Sequence, residues 1–313
     1  MSLHNTIRDS TIRDSTIRDS TVREANLRPV SLPTQKPTRR FPGSFLPGSF
    51  LLGSFLPGNK GVWLSIATLA SVVALWWAVT ALGLISPLFL PAPQQVLHQL
   101  LVIASPQGFM DATLWQHLAA SLGRILIALL AAVALGVPTG IAMGLSTRVR
   151  AVLDPLIEIY RPVPPLAYLP LMVIWFGIGE TSKILLIYLA IFAPITLAAV
   201  AGVRSVAQVR VRAARALGAS RWQVLRFVIL PSALPEILTG IRIGLGVGWS
   251  TLVAAELIAA TRGLGFMVQS AGEFLATDVV IAGISVIAII AFGMELSLRA
   301  IQRRLTPWYG AQQ

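Results

Sequence analysis

The chain has 313 residues, 55% of them apolar and only 12% charged, with a mean hydropathy of +0.74. That composition excludes a water-soluble monomer. Cysteine is absent, which removes disulfide frameworks, thiolate zinc sites, iron–sulfur ligation and cysteine catalysis together. A net charge of +12 raises the question of a nucleic-acid partner, but no basic stripe interleaved with aromatics runs through residues 1–60 or through the remaining 253.

Residues 1–60 are low in complexity. The pentad Thr-Ile-Arg-Asp-Ser repeats from Thr6 to Ser20, and a Phe-Leu-Pro-Gly-Ser-like pentad recurs around Phe45, Phe50 and Phe55. A period of five fits neither helix nor strand, so this tract is expected to be a disordered cytoplasmic extension. No long apolar run precedes Gly61, so it does not read as a cleavable signal peptide.

From residue 61 onward the charges thin out, and apolar runs of bilayer length follow. Six spans are expected: Val62 to Leu84, Leu118 to Leu145, Leu166 to Gly179, Ile184 to Val203, Ile243 to Ala260 and Val279 to Leu296. The third is short and rich in proline. Lys and Arg collect on alternate connections, in the N-terminal tract, Arg148 to Arg161, Arg204 to Arg242 and the C-terminal tail, which together hold 22 of the 25. By the positive-inside rule both termini are cytoplasmic. The fold class is all-α, a polytopic membrane protein with six transmembrane helices over residues 61–313 and a core at about 117–297.

Glycines recur at every fourth position, as Gly136, Gly140 and Gly144 in the second span and as Gly240, Gly244 and Gly248 leading into the fifth. Small residues at this spacing let helix backbones approach closely in lipid, either within the chain or at a subunit or pore surface. Before the first of these ladders, Val96 to Ile103 reads as a short helix on the outer face, and mid-span Trp76 and Trp77 read as packing residues. His98, Asp111 and His117 match no metal-site spacing.

Residues 204–242 are too long for a connector. Val211 to Leu217 reads as helix, Gly218 as its stop, and Ser220 as the cap of a second helix running from Arg221 toward Pro231. The result is a helix–glycine–helix elbow with apolar Leu217, Trp222, Leu225 and Val228 beside Arg215, Arg221 and Arg226. Taken alone, the pattern also suits an amphipathic helix on a membrane surface.

Arg212-Ala213-Ala214-x-x-x-Gly218, followed after nine residues by Val228-Ile229-Leu230-Pro231, resembles the E-A-A-x-x-x-G-x9-I-x-L-P signature of permease subunits of ATP-binding-cassette importers. The spacing matches throughout, with Arg212 in place of the usual glutamate and Val228 in place of isoleucine. The stretches Leu84 to Leu97, Pro106 to Ser121, Tyr160 to Ile184, Gly246 to Val280 and Ile301 to Gly310 are further similar to taurine-import permeases of the aliphatic-sulfonate, nitrate and bicarbonate group. The resemblance implies a type I importer permease fold and a translocation subunit that is not itself an enzyme. It assigns the docking of a cytoplasmic ATPase subunit to Arg212, Ala213, Ala214, Gly218, Ala219, Ser220, Leu230 and Pro231. It also implies ATP and magnesium on that partner rather than here, a periplasmic substrate-binding protein, and a bacterial inner-membrane location.

The residues agree on energy supply. No G-x-x-x-x-G-K-[ST] loop occurs, and none of Lys36, Lys60 and Lys183 follows a glycine. Six spans form half a passage, so a two-fold homodimer is expected. Candidate passage residues are Ser121, Arg124, Ser250, Thr251 and Glu256, with two of them open to a second reading. Arg124 also suits snorkelling to the interface, and Glu256 also suits a place near the outer surface. Glu273 and Asp278 are expected in an outer loop that meets the receptor. Two other classes stay in view: an ion-coupled carrier using Glu256 or Glu295, and an intramembrane enzyme, for which no paired ionisable residues stand out.

Overall fold

The computed structural model describes residues 59–308, so the repetitive tract lies outside the described residues up to residue 58. Among the described residues the chain is built from helices, and five of them are long and apolar enough to cross a membrane. In order they are α1 (Asn59–Ala81), α2 (Pro93–Ala104), α3 (Leu114–Leu145), α4 (Thr147–Tyr160), a 3-10 turn (Pro165–Tyr168), α5 (Leu169–Phe176), α6 (Glu180–Arg204), α7 (Gln208–Ala216), α8 (Arg221–Val224), a π-type turn (Leu225–Ile229), α9 (Leu230–Ala259), α10 (Leu264–Glu273) and α11 (Thr277–Leu305). α2 is the short helix expected around Val96, and the Trp76 indole N–H on α1 donates to the Pro91 carbonyl just before it at 3.1 Å.

α6 is the centre of the bundle, and both glycine ladders press on it. A Cβ at Gly136 would meet Thr196 Oγ1 at 3.1 Å, one at Gly140 would strike the Thr196 carbonyl, and one at Gly144 would lie 2.7 Å from Val203 Cβ. From the other side, Gly240 faces Ala198, while a Cβ at Gly248 would come within 2.6 Å of Ile191. Close intrachain packing therefore explains both ladders. Residue numbers rise together along α3 and α6, which run parallel, and in opposition along α6 and α9, which run antiparallel.

Parallel neighbours require the chain to return across the layer between Leu145 and Glu180. The expected third span, Leu166 to Gly179, cannot do this alone, because eight-residue α5 is only about 12 Å long. The return instead has two pieces. α4 packs Val149, Leu153, Ile157 and Tyr160 beside Leu197, Val200 and Ala193 of α6. After a break, the 3-10 turn and α5 continue, with Leu169 and Met172 against Leu186. Arg148 to Arg161, expected as a loop, is thus the first half of the third crossing. Its charges hid it: Arg148, Arg150, Asp154 and Glu158 interrupt the apolar pattern, two of them paired as Arg150–Asp154 at 3.1 Å.

Residues 221–242 are likewise not loop. Arg221–Ile258 runs as one continuous helical stretch of 38 residues that includes the fifth span. Proline at position 231 lacks an N–H and crowds the preceding turn, and the wider π-type turn at Leu225–Ile229 relieves that crowding. α11 is tied to α9 by Arg242, whose guanidinium donates to Glu295 at 2.5 Å and to Gln302 at 3.2 Å.

Candidate functional site

Two clusters occupy opposite ends of the bundle. At the end where α3 and α6 finish, α7 stops as its last carbonyls are closed by Leu217, Gly218 and Ala219, whose N–H groups donate to Ala213, Arg215 and Ala214 at 3.0–3.1 Å. Gly218 takes φ +86°, which only glycine adopts without strain. Ser220 then caps α8: its Oγ accepts from the Gln223 N–H at 3.3 Å, and its own N–H donates to Gln223 Oε1 at 2.8 Å. The elbow read from the sequence is therefore present, with the same stop and the same cap.

Its inner side is pinned, since Val211, Val224 and Ile229 are buried with Val203 and Val206. Its outer side is open. Leu217 is 88% exposed, Phe227 69% and Trp222 64%, and a groove of about 410 Å³ lies between Ala214, Leu217, Gly218, Phe227 and Val228. Arg212, Ala213, Gly218 and Ser220 are exposed, Ala214 and Ala219 half-buried, and Leu230 and Pro231 half-buried where α9 begins. Exposed arginines surround the patch at 212, 215, 221 and 226. A rigid apolar surface with a basic rim, held outside the apolar spans, is suited to docking another protein.

The opposite end carries a buried charge cluster. Arg124, near the start of α3 and 4% exposed, donates from Nε and Nη2 to Glu180 at 2.5 and 2.7 Å. Its Nη1 donates to Glu256 at 2.6 Å and to the Arg262 carbonyl at 2.7 Å. Glu256, fully buried on α9, also accepts from Ser121 Oγ at 2.8 Å and from the Gly265 N–H at 2.9 Å. Lys183 reaches Glu180 at 2.9 Å. The turn between α9 and α10 is clamped by the same set: Leu264 N–H donates to Ser121 Oγ at 2.8 Å, and Gly263 N–H to His117 Nδ1 at 3.1 Å. A Cβ at Gly263 would strike the Glu256 carboxylate, so the turn approaches closely because it is glycine.

Of the expected passage residues, the structure thus brings Ser121, Arg124 and Glu256 together. Arg124 does not snorkel, and Glu256 does not sit at a surface: each is closed in by protein partners. Ser250 is exposed and Thr251 buried on α9, each bonded to a carbonyl one turn earlier. Glu180, Lys183 and the Gly263–Gly265 turn were not singled out from the sequence, being remote in the chain from Arg124. Asp278 and His98 lie on a third feature, a cavity of about 510 Å³ near the start of α11. Among the described residues no group of three His, Asp or Glu side chains could hold a metal ion.

A parallel α3–α6 pair, a broken return and a helical elbow make this chain a helical membrane component, five of whose helices are long and apolar enough to cross a bilayer among the described residues. Residues 133–307 match the family described as binding-protein-dependent transport system inner membrane component, and the chain belongs to that family. It is 78% identical over 257 residues to the taurine transport system permease protein TauC of Escherichia coli K12, covering 82% of this chain and 94% of the relative. The putative aliphatic sulfonates transport permease proteins SsuC of E. coli K12 and Bacillus subtilis 168 are 39% and 37% identical, over 76% and 80% of this chain and 88% and 90% of theirs. Among solved structures, a chain of the methionine ABC transporter MetNI in an inward-facing conformation superposes with TM-score 0.53 at 19% identity, covering 60% of this chain and 93% of that one, and so shares its fold.

Proposed function

We propose that the chain is the permease subunit of an ATP-driven importer that carries taurine, or a close aliphatic sulfonate, from the periplasm to the cytoplasm. The 78% identity to a taurine permease over nearly all of that relative carries this reading. In it the chain sits in the bacterial inner membrane with both termini and the elbow cytoplasmic. It pairs with a second copy, seats an ATPase subunit that binds ATP and magnesium against the elbow, and receives substrate from a periplasmic binding protein at the opposite end.

The open apolar face of the elbow supports an ATPase partner, and its buried inner side supports transmission of force to α6 and α9. The cavity beside His98 and Asp278 supports receptor docking at the far end. Ser121, Arg124 and Glu256, with Thr251 nearby, would close the outer end of the passage, while Ser250 faces it. An ion-coupled carrier is less well supported, because Glu256 and Glu295 are both held in arginine pairs rather than free to load and release an ion.

The substrate class is tested by uptake of labelled taurine into cells carrying the full system, with competition by longer alkanesulfonates and by nitrate. Taurine should compete best, alkanesulfonates weakly and nitrate not at all. Full competition by nitrate together with no taurine uptake would replace the sulfonate assignment with an inorganic-anion one.

A further inference from the structure

The break in the third crossing lies at mid-depth. Tyr160 and Arg161 end α4, Pro165 opens the 3-10 turn, and between them Pro162 and Pro164 hold the backbone out of a helix. Tyr160, Arg161, Val163 and Pro165, together with Tyr168, Pro194 and Val247, line a cavity of about 220 Å³. Pro194 stands near the middle of α6 and Val247 near the middle of α9, so Arg161 lies between the buried Arg124–Glu256 cluster at one end and the elbow at the other.

A guanidinium at that depth cannot face lipid, and non-helical backbone is tolerated there only where it is packed in protein or lines water. Arg161 is not packed: its side chain is 59% exposed, and its ion-pair contact is the equally open Glu158 at 3.9 Å. Beside it the Tyr160 hydroxyl oxygen is buried and has no hydrogen-bond partner. Ser250 lies three residues past Val247, on the same side of α9, and is exposed. Arg161 and Ser250 thus offer donors to an anion on one exposed side of the chain, midway through it, with the buried Tyr160 hydroxyl just behind Arg161.

We propose that Arg161 is the residue that meets the sulfonate group of the substrate at the midpoint of the passage, a role that rests on the sulfonate-importer reading. The planar guanidinium donates two parallel N–H bonds to two sulfonate oxygens, a match that a single ammonium lacks. Its exposure keeps the contact weak enough to release the substrate, as a passage requires, because water competes for both charged groups. Discrimination arises here by charge and fork geometry, after the receptor has released its cargo.

The test uses vesicles containing the permease with its ATPase and receptor. Since the chain lacks cysteine, an Arg161→Cys variant carries a single thiol in this subunit. A water-soluble methanethiosulfonate bearing a sulfonate group should modify it, read as the mass increase of this chain, and taurine supplied with receptor and ATP should slow the labelling. Arg161→Gln should copurify with the ATPase and lower taurine uptake about tenfold, while Arg161→Lys, which keeps the charge but not the fork, recovers only a minor part. No labelling from water, or wild-type uptake by Arg161→Gln, would overturn the proposal and leave the importer reading intact. Absence of taurine uptake by the wild-type assembly would instead overturn both.

Discussion

Arg124→Met should remove most of the folded permease from the membrane. The arginine is 4% exposed and answers two carboxylates of very different standing. Glu180 has a side chain 58% exposed and can turn to water, so losing its partner costs little. Glu256 is fully buried, and without Arg124 it keeps only Ser121 and the Gly265 N–H against an uncompensated charge. Removing one member of such a pair costs about 3–5 kcal/mol, a large part of the total stability of about 5–15 kcal/mol. The melting temperature in detergent should fall by about 10 °C or more. Adding Glu256→Gln should recover part of the loss, since a neutral amide oxygen still accepts from Ser121 and Gly265. Glu180→Gln alone should melt near the wild type. Equal losses for Glu180→Gln and Arg124→Met would show that the buried carboxylate is not what the arginine holds.

Gly218→Trp should abolish the complex with the ATPase while the permease itself still inserts. The left-handed φ penalises any side chain by about 1–2 kcal/mol, a cost that Gly218→Ala bears as well. No atom lies within 4 Å of a Cβ built there, so nothing inside the chain collides. The indole would instead project beside Leu217 and Phe227 into the face assigned to the partner. Gly218→Ala should therefore retain the complex with some loss of stability, and Gly218→Trp should lose it in pull-down and in uptake. A tryptophan variant that assembles and transports like the wild type would move the docking face elsewhere.

The elbow was legible from sequence because its rules are local. A glycine that must turn left-handed and a serine three residues before a glutamine announce themselves within a few positions. The spans carried by α1, α3, α6, α9 and α11 were legible from apolar length alone. The third crossing was not, because α4 carries Arg148, Arg150, Asp154 and Glu158 and ends in prolines, so hydropathy marks only its second half. It reveals itself once α3 and α6 are seen to run parallel. Arg124, Ser121 and Glu256 stood out singly as polar groups in apolar surroundings. Their union could not be read, since it joins positions more than 130 residues apart through Glu180 and a glycine turn. Arg161 was hidden for a related reason: in sequence it closes a basic connection, and only the fold lifts it to mid-depth.

The central claim is that movement of solute through this chain is driven by a separate ATPase acting at the elbow. It is tested most directly by taurine accumulation in vesicles containing the permease and its receptor, with and without the ATPase and internal Mg-ATP. Accumulation above the external concentration only when both are present is the predicted result. Accumulation against the gradient by the permease without the ATPase would contradict the account.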